Sequence, residues 1–306
     1  MLSVSPVFRK TQFKKLMIKI LITGGTGFIG RALTEQLRRK YFIFSPESTV
    51  LNLLDAHAVL TYLDLNRFDI VIHTATWNAT KTSTKDTDLV LENNLRMFFN
   101  LARGAMFYKR MIYYGSGAEF DRNHWAPKMQ EDYFDCFVPS DQYGFSKYIM
   151  NKYAESTSNN IYNLRLFGVF GKYEDWKIRF ISQTCCRVIH NIPITINQNV
   201  NFDYLYIDDL VKITDWFINH EPKEKSYNVC TGSASQLSNI AQMILEFSGK
   251  NLDVTFLNQG MGREYSGDNT KLMREMNGFA FSNISACIPE LYSWYQNQSG
   301  ILAEKL

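Results

Sequence analysis

The sequence predicts an α/β protein: a doubly wound parallel sheet with a smaller, interlaced C-terminal lobe. Three observations carry that expectation. Apolar strand-like runs alternate with helix-like segments through the first half of the chain. The first such run ends directly in three glycines spaced three apart. No Gly/Pro/Ser-rich linker divides the chain. Alternating strands and helices imply βαβ units, whose crossovers cover both faces of a parallel sheet. Lobes without a linker are expected to interlace rather than sit as beads.

The elements follow in order. Residues 1–16 hold Arg9, Lys10, Lys14 and Lys15 but no apolar core of signal-peptide kind, and read as a leader. Strands are expected at Lys19–Ile22, Tyr41–Phe44, Asp69–His73, Arg110–Tyr114 and Ile161–Leu166, with helices near Asp88–Tyr108 and at Tyr143–Ser156. The second half is less regular. Short strands are expected within Ile194–Tyr206, a helix at Ile207–Phe217, a strand at Tyr227–Val229 and an amphipathic helix at Leu237–Phe247.

Composition excludes several classes. Among 306 residues, 33 basic side chains face 30 acidic ones, a net charge of +3. That balance is not the footprint of a nucleic-acid or anionic-membrane partner. No apolar run approaches the roughly 18 residues that would span a bilayer. Cys136, Cys185, Cys186, Cys230 and Cys287 form no C-x-x-C pair and no metal spacing, so reduced thiols, a cytoplasmic location and no metal are expected.

Chemistry begins at Lys19-Ile20-Leu21-Ile22-Thr23-Gly24-Gly25-Thr26-Gly27-Phe28-Ile29-Gly30. A strand, a tight glycine turn and a helix start form an anion cradle. Glycines let the backbone approach a pyrophosphate, and the helix start offers free N–H groups. This is the mark of a Rossmann-type dinucleotide site. It divides the chain into a dinucleotide-binding domain at 17–170, to which later segments return, and a second lobe at 171–306. Tyr143 and Lys147 stand four apart, on one face of a helix. An ammonium beside a phenol lowers its pKa from about 10 toward neutrality, which suits Tyr143 to proton exchange with a carbonyl/carbinol couple. Ser116 follows the fourth strand, where its hydroxyl could bond the reacting oxygen.

The chain resembles the extended short-chain dehydrogenase/reductase superfamily, in particular its NAD(P)-dependent nucleotide-sugar epimerases, dehydratases and reductases. The resemblance runs from about Lys19 onward. It rests on the glycine motif, Leu51–Asp55, Val71–Thr76, Asn93-Asn94, Ser116, Tyr143, Lys147, Leu164–Gly171, Asp203–Asp209 and Tyr227–Gly232. It implies that Gly24, Gly27, Phe28 and Ile29 line the pyrophosphate turn, with Gly30 letting helix and strand pack closely. Asn52 and Leu53 would flank the adenine. Thr74, Ala75 and Thr76 would line the cofactor groove, joined by Phe167, with Asn94 on the helix behind. Tyr143 would exchange the proton, Lys147 would hold the nicotinamide ribose, and Ser116 would orient the carbonyl. The second lobe would hold the nucleoside diphosphate, with Arg263 its candidate contact. A homodimer through the helix of Tyr143 and the 88–108 segment is also implied.

Departures from the resemblance narrow the reaction. Dehydratases of this kind carry an Asp-Glu pair directly after the site serine or threonine; here stand Gly117 and Ala118, which transfer no protons. Glu119 lies one residue further and is expected to point elsewhere. The GDP-fucose synthase group needs an epimerising cysteine where Ala118 stands. UDP-galactose-4-epimerase-like chains carry Asn where Gly168 stands. Ketone reduction needs only Ser116, Tyr143, Lys147 and the cofactor. The expected cofactor is NADP(H), with NAD(H) as the other form. No carboxylate follows Phe44 directly; Ser45 could bond a 2′-phosphate, Arg31, Arg38 or Arg39 could neutralise it, and Glu47 comes only after the turn. The expected activity is reduction of an NDP-4-keto-6-deoxy sugar for cell-surface polysaccharide. Its alternatives are a 4-epimerase with tightly held NAD and a dinucleotide-binding sensor or scaffold without turnover.

Overall fold

The structure is a computed structural model that describes residues 17–77 and 83–298. The leader expected at 1–16 lies outside the described residues. In chain order the elements are β1 (Lys19–Thr23), α1 (Phe28–Leu37), β2 (Phe42–Phe44), α2 (Ala56–Asn66), β3 (Phe68–His73), α3 (Val90–Arg103), β4 (Tyr108–Ser116), α4 (Gln142–Ser156) and β5 (Ile161–Leu166). There follow β6 (Gly168–Phe170), α5 (Phe180–Ile189), β7 (Ile194–Ile196), β8 (Asn201–Tyr206), α6 (Ile207–Asn219), β9 (Ser226–Val229), β10 (Ala234–Gln236), α7 (Leu237–Ser248), β11 (Val254–Phe256), α8 (Thr270–Glu275) and α9 (Ile284–Gln296).

Six strands form one parallel sheet in the order β2-β1-β3-β4-β5-β9. Strand side chains alternate between faces, so each strand feeds two cores. Ile20, Ile22, Ile70, Ile72 and Ile112 pack with residues of α1, α5, α6, α7 and α9. Leu21, Val71, Met111 and Tyr113 turn the other way, onto α2, α3 and α4. Helices on both faces make the sheet doubly wound. The strand order reverses beside β1, which lies between β2 and β3, and that reversal opens a crevice at the strands' carboxyl ends. Two small sheets complete the fold: β10-β8-β6 and the parallel pair β11-β7.

Local chemistry sets the ends of these elements. Asp55 caps α2 by accepting from the Ala58 N–H (3.0 Å), and Asp141 caps α4 by accepting from the Gly144 N–H (2.9 Å). The helix expected at Asp88–Tyr108 is shorter: α3 ends at Gly104, and a 3-10 turn at Ala105–Phe107 lets Tyr108 start β4. The strands expected within Ile194–Tyr206 are β7 and β8, which join different sheets. Late in the chain, β9 returns to the edge of the main sheet, beside β5. Among the described residues, no helix is long and apolar enough to cross a membrane.

Candidate active site

Because all six strands run parallel, their carboxyl ends open on one side. There a cavity of about 1630 Å³ is lined by the Thr23–Gly30 turn, Pro46–Ser48, Leu51–Leu54, Thr74–Trp77, Tyr114–Ser116, Tyr143, Lys147 and Leu166–Val169. The second lobe closes it with residues that include Arg179, Phe202, Tyr204, Arg263 and Tyr265. Its volume exceeds that of a pocket for one drug-sized ligand, roughly 300–1,000 Å³, and leaves room for a dinucleotide beside a second molecule.

The glycine turn is shaped by close approach. Gly24 has φ +72°, and a Cβ there would stand 2.7 Å from the Ala75 backbone. A Cβ on Gly30 would stand 2.2 Å from the Gly24 carbonyl oxygen. Gly27 donates its N–H to that oxygen (3.0 Å) and starts α1 with neither a capping side chain nor an acid in the first turn. The helix N–H groups are therefore free for an anion, and the residues fit the pyrophosphate of a dinucleotide. Phe28 and Ile29 line the same wall. Thr74 donates its hydroxyl to the Thr23 carbonyl (2.6 Å), and Ala75 and Thr76 continue the lining. Asn94 lies behind: it is buried on α3, and its Oδ1 accepts from the Trp77 N–H (2.7 Å) and the Thr76 hydroxyl (3.2 Å), pinning the loop after β3.

At the opposite end, Asn52 and Leu53 line the cavity; Asn52 Oδ1 accepts from the Leu54 N–H (3.0 Å). Ser45 does not line it. Its hydroxyl lies under Gly25 and 3.5 Å from the Thr34 hydroxyl. Arg31 pairs with Glu35 (3.1 Å) and stacks on Tyr173 (3.8 Å to the ring centroid), and Arg38 caps the far end of α1. Glu47 does line the cavity.

The three candidate catalytic groups meet at the carboxyl end of β4. Asp141 starts α4 so that Tyr143 and Lys147 face the strand. Lys147 Nζ donates to the Tyr114 carbonyl (2.8 Å) and stands 5.8 Å from the Tyr143 ring centroid. Burial pulls the ammonium down to about 8, against the opposing pull of Glu119. Ser116 and the Tyr143 phenol line the same part of the cavity. The expectation of a phenol made acidic by Lys147 is corrected here. Burial pushes Tyr143 above its ordinary value, and the groups that pull it back are Ser116, Arg179 and Arg122. The ammonium is held by the Tyr114 carbonyl, and desolvation of the phenolate outweighs every cation near it.

Residues 20–230 match the family model described as "NAD dependent epimerase/dehydratase family". The chain belongs to this family. It is an enzyme of a nucleotide-sugar family that works with a nicotinamide dinucleotide. Among curated relatives, dTDP-4-dehydro-6-deoxyglucose reductase of Escherichia coli is 26% identical over 261 residues, covering 74% of this chain and 80% of that protein. Among solved structures, the GDP-mannoheptose C4 reductase of Campylobacter jejuni with NADP bound has a TM-score of 0.76 at 18% identity, covering 92% of this chain and 98% of that one. Bordetella bronchiseptica WbmG in complex with NAD has a TM-score of 0.79 at 20% identity, covering 94% and 97%.

Beneath this epimerase/dehydratase-family site lies a group that the sequence alone aims elsewhere. Glu119 turns back: its Oε1 accepts from the Ser116 N–H (3.0 Å) while Ser116 Oγ accepts from the Ala118 N–H (3.2 Å). The readable signal was Ser116 followed three residues later by Glu119, the pattern of a capping box. Glu119 Oε2 also accepts from Arg165 Nε (2.8 Å), with both side chains fully buried. Arg165 Nη1 donates to Asn228 Oδ1 (3.0 Å), and Asn163 Nδ2 reaches both carboxylate oxygens. Burial raises the Glu119 carboxyl, and Arg165 pulls it down.

Phe167 and Arg263 both line the cavity. Phe167 packs its ring 5.2 Å from that of Tyr265, and the exposed Arg263 donates Nη1 to the carbonyls of Arg122 (3.1 Å) and Asn123. Removing one partner of a buried ion pair leaves an uncompensated charge, at a cost of about 3–5 kcal/mol. Arg165→Met is therefore expected to lower unfolding free energy in urea by that amount. Adding Glu119→Met should recover part of the loss; a single variant as stable as the parent would refute this account.

Proposed function

We propose that the chain is a nucleotide-sugar 4-ketoreductase acting on an NDP-4-keto-6-deoxy sugar, with a product that feeds cell-surface polysaccharide. One observation carries this reading. Tyr143, Ser116 and Lys147 line one end of a cavity, Lys147 Nζ 5.8 Å from the Tyr143 ring centroid, and the same cavity contains a glycine turn shaped for a pyrophosphate. When bound, a nicotinamide dinucleotide supplies the hydride. Ser116 holds the keto oxygen, Tyr143 gives it a proton, and the Lys147 ammonium stabilises the negative charge that builds there. Gly117 and Ala118 offer no acid or base for elimination. The reductase activities named for the Escherichia coli and Campylobacter jejuni proteins point the same way.

Residues 171–306 form, in this reading, the lobe that mainly holds the nucleotide sugar. Arg122, Arg179 and Arg263 line the cavity and supply fixed positive charge for the diphosphate. For the cofactor, Glu47 is the one charged side chain among lining residues 23–30, 46–48 and 51–54. A carboxylate accepts a ribose 2′-hydroxyl and repels a 2′-phosphate. With Ser45 at Thr34 and Arg31 at Glu35, we take NAD(H) rather than NADP(H) as the preferred form.

Incubation with keto-sugar nucleotides should consume reduced nicotinamide stoichiometrically, faster with NADH than with NADPH. Tyr143→Phe should bind cofactor normally but turn over at least about 100-fold more slowly. Sugar interconversion without net consumption would instead mark a 4-epimerase, and binding without any turnover a sensor or scaffold. For reduction, kcat/KM should fall as pH rises through about 8, where Lys147 loses its proton, while Tyr143 remains a donor throughout. A profile flat to pH 10 would refute that role for Lys147. A homodimer through α3 and α4, which pack on each other within the chain through Phe99 and Tyr153 (5.1 Å between ring centroids), is the assembly we propose. Light scattering should report twice the chain mass, and a monomer at micromolar concentration would exclude it.

A further inference from the structure

A second phenol reaches the reacting centre, from the other lobe. Tyr265 lies beside β8, donating its N–H to the Asn201 carbonyl and accepting at its own carbonyl from the Asp203 N–H, both at 3.0 Å. Its ring is wedged among Trp125 (4.1 Å between centroids), Phe202 (4.9 Å) and Phe167 (5.2 Å), and it is only 7% exposed. This packing aims its oxygen at the turn after β4. A Cβ on Gly117 would stand 2.7 Å from Tyr265 Oη, so the phenol fills the space that a side chain at 117 would take. Ser116, the residue before Gly117, is its neighbour there and lines the same cavity.

Ser116 therefore has three neighbours for one hydroxyl. A hydroxyl carries one proton and two lone pairs. The Ala118 N–H takes one lone pair, at 3.2 Å. Tyr265, whose phenol burial pushes far above its ordinary value, stays protonated and is able to fill the second. The serine proton then has one direction left, outward into the cavity toward Tyr143.

Resting on the reductase reading, we infer that Tyr265 is a positioning residue: its phenol donates to Ser116 Oγ and so turns the serine proton onto the substrate's keto oxygen. Tyr143 is thereby released from Ser116 to give its own proton to that oxygen. No bond to carbon changes at Tyr265, which keeps its proton throughout. Gly117 must be small because the Tyr265 phenol and the Phe167 ring together fill that volume.

The test is a double-mutant cycle on keto-sugar reduction. Tyr265→Phe removes one oxygen and keeps the packing; it should lower kcat about tenfold, the worth of one oriented hydrogen bond, with KM and dinucleotide affinity within about twofold. Ser116→Ala should lower kcat at least as much, and adding Tyr265→Phe to it should cost nothing further. A merely structural tyrosine would give equal losses in both backgrounds, and that result overturns the inference, as does wild-type kcat in Tyr265→Phe. Gly117→Ala, whose methyl would displace the phenol as well as the Phe167 ring, should also lower kcat, and a wild-type kcat there counts against the inference. If the wild-type enzyme reduces no keto-sugar nucleotide, the reductase reading falls and takes this inference with it. Turnover with an indifferent Tyr265 sinks the inference alone.

Discussion

The site hangs on two opposite charges that water never reaches. Arg165 on β5 and Glu119 beyond β4 are both fully buried and 2.8 Å apart. Neither could stay charged there alone, since an unpaired ion in the interior costs several kcal/mol. Each therefore gathers partners: the Ser116 N–H, Asn163 and Asn228. The Asn228 N–H in turn donates to Glu131 Oε1 (2.9 Å), while its side-chain amide donates to the Met129 (2.8 Å) and Asp268 (3.0 Å) carbonyls. The need to satisfy one buried pair thus ties the ends of β4, β5 and β9 to the segment between β4 and α4 and to the loop at Asp268. Even Gly115 follows from it, because a Cβ there would stand 2.1 Å from Glu119 Oε1.

The second constraint is steric and lies across the switch point. Gly24 and Gly30 let β1, α1 and the loop after β3 approach until no Cβ would fit between them. Thr74 bonds back to β1, and Asn94 holds the next two residues from behind. The wall at the glycine turn is therefore a backbone surface held by hydrogen bonds, while the wall around Ser116 is held by buried charge. Rigid elements supply both, which is the condition for keeping reacting groups in register.

What the sequence reveals and what it hides divide by range. The strands of the main sheet are legible because central parallel strands are buried on both faces and read as continuous apolar runs. The glycine turn and the Tyr143–Lys147 spacing are legible because each is local. Ser45 was legible only as a type: a serine after β2 suggests a phosphate contact, but Thr34 on α1 sits beside it. Glu119 carried a local signal, the spacing from Ser116, yet its true partner Arg165 belongs to another strand. Tyr265 carried none. Its place at Ser116 depends on β8 and on the wedge of Trp125, Phe167 and Phe202, which no periodicity encodes.

The same burial sets the charge state of the groups around Ser116. A buried phenolate is costly, so desolvation raises both Tyr143 and Tyr265 and keeps each a proton donor. A buried ammonium is costly too, and Lys147 falls to about 8, so near neutrality it still carries its charge. Two neutral donors and one cation around a serine form a surface complementary to an oxygen that gains negative charge and then a proton. Gly117 and Ala118, beside them, carry no acid or base. Desolvation thus overrides the acidity that Lys147 alone would lend Tyr143.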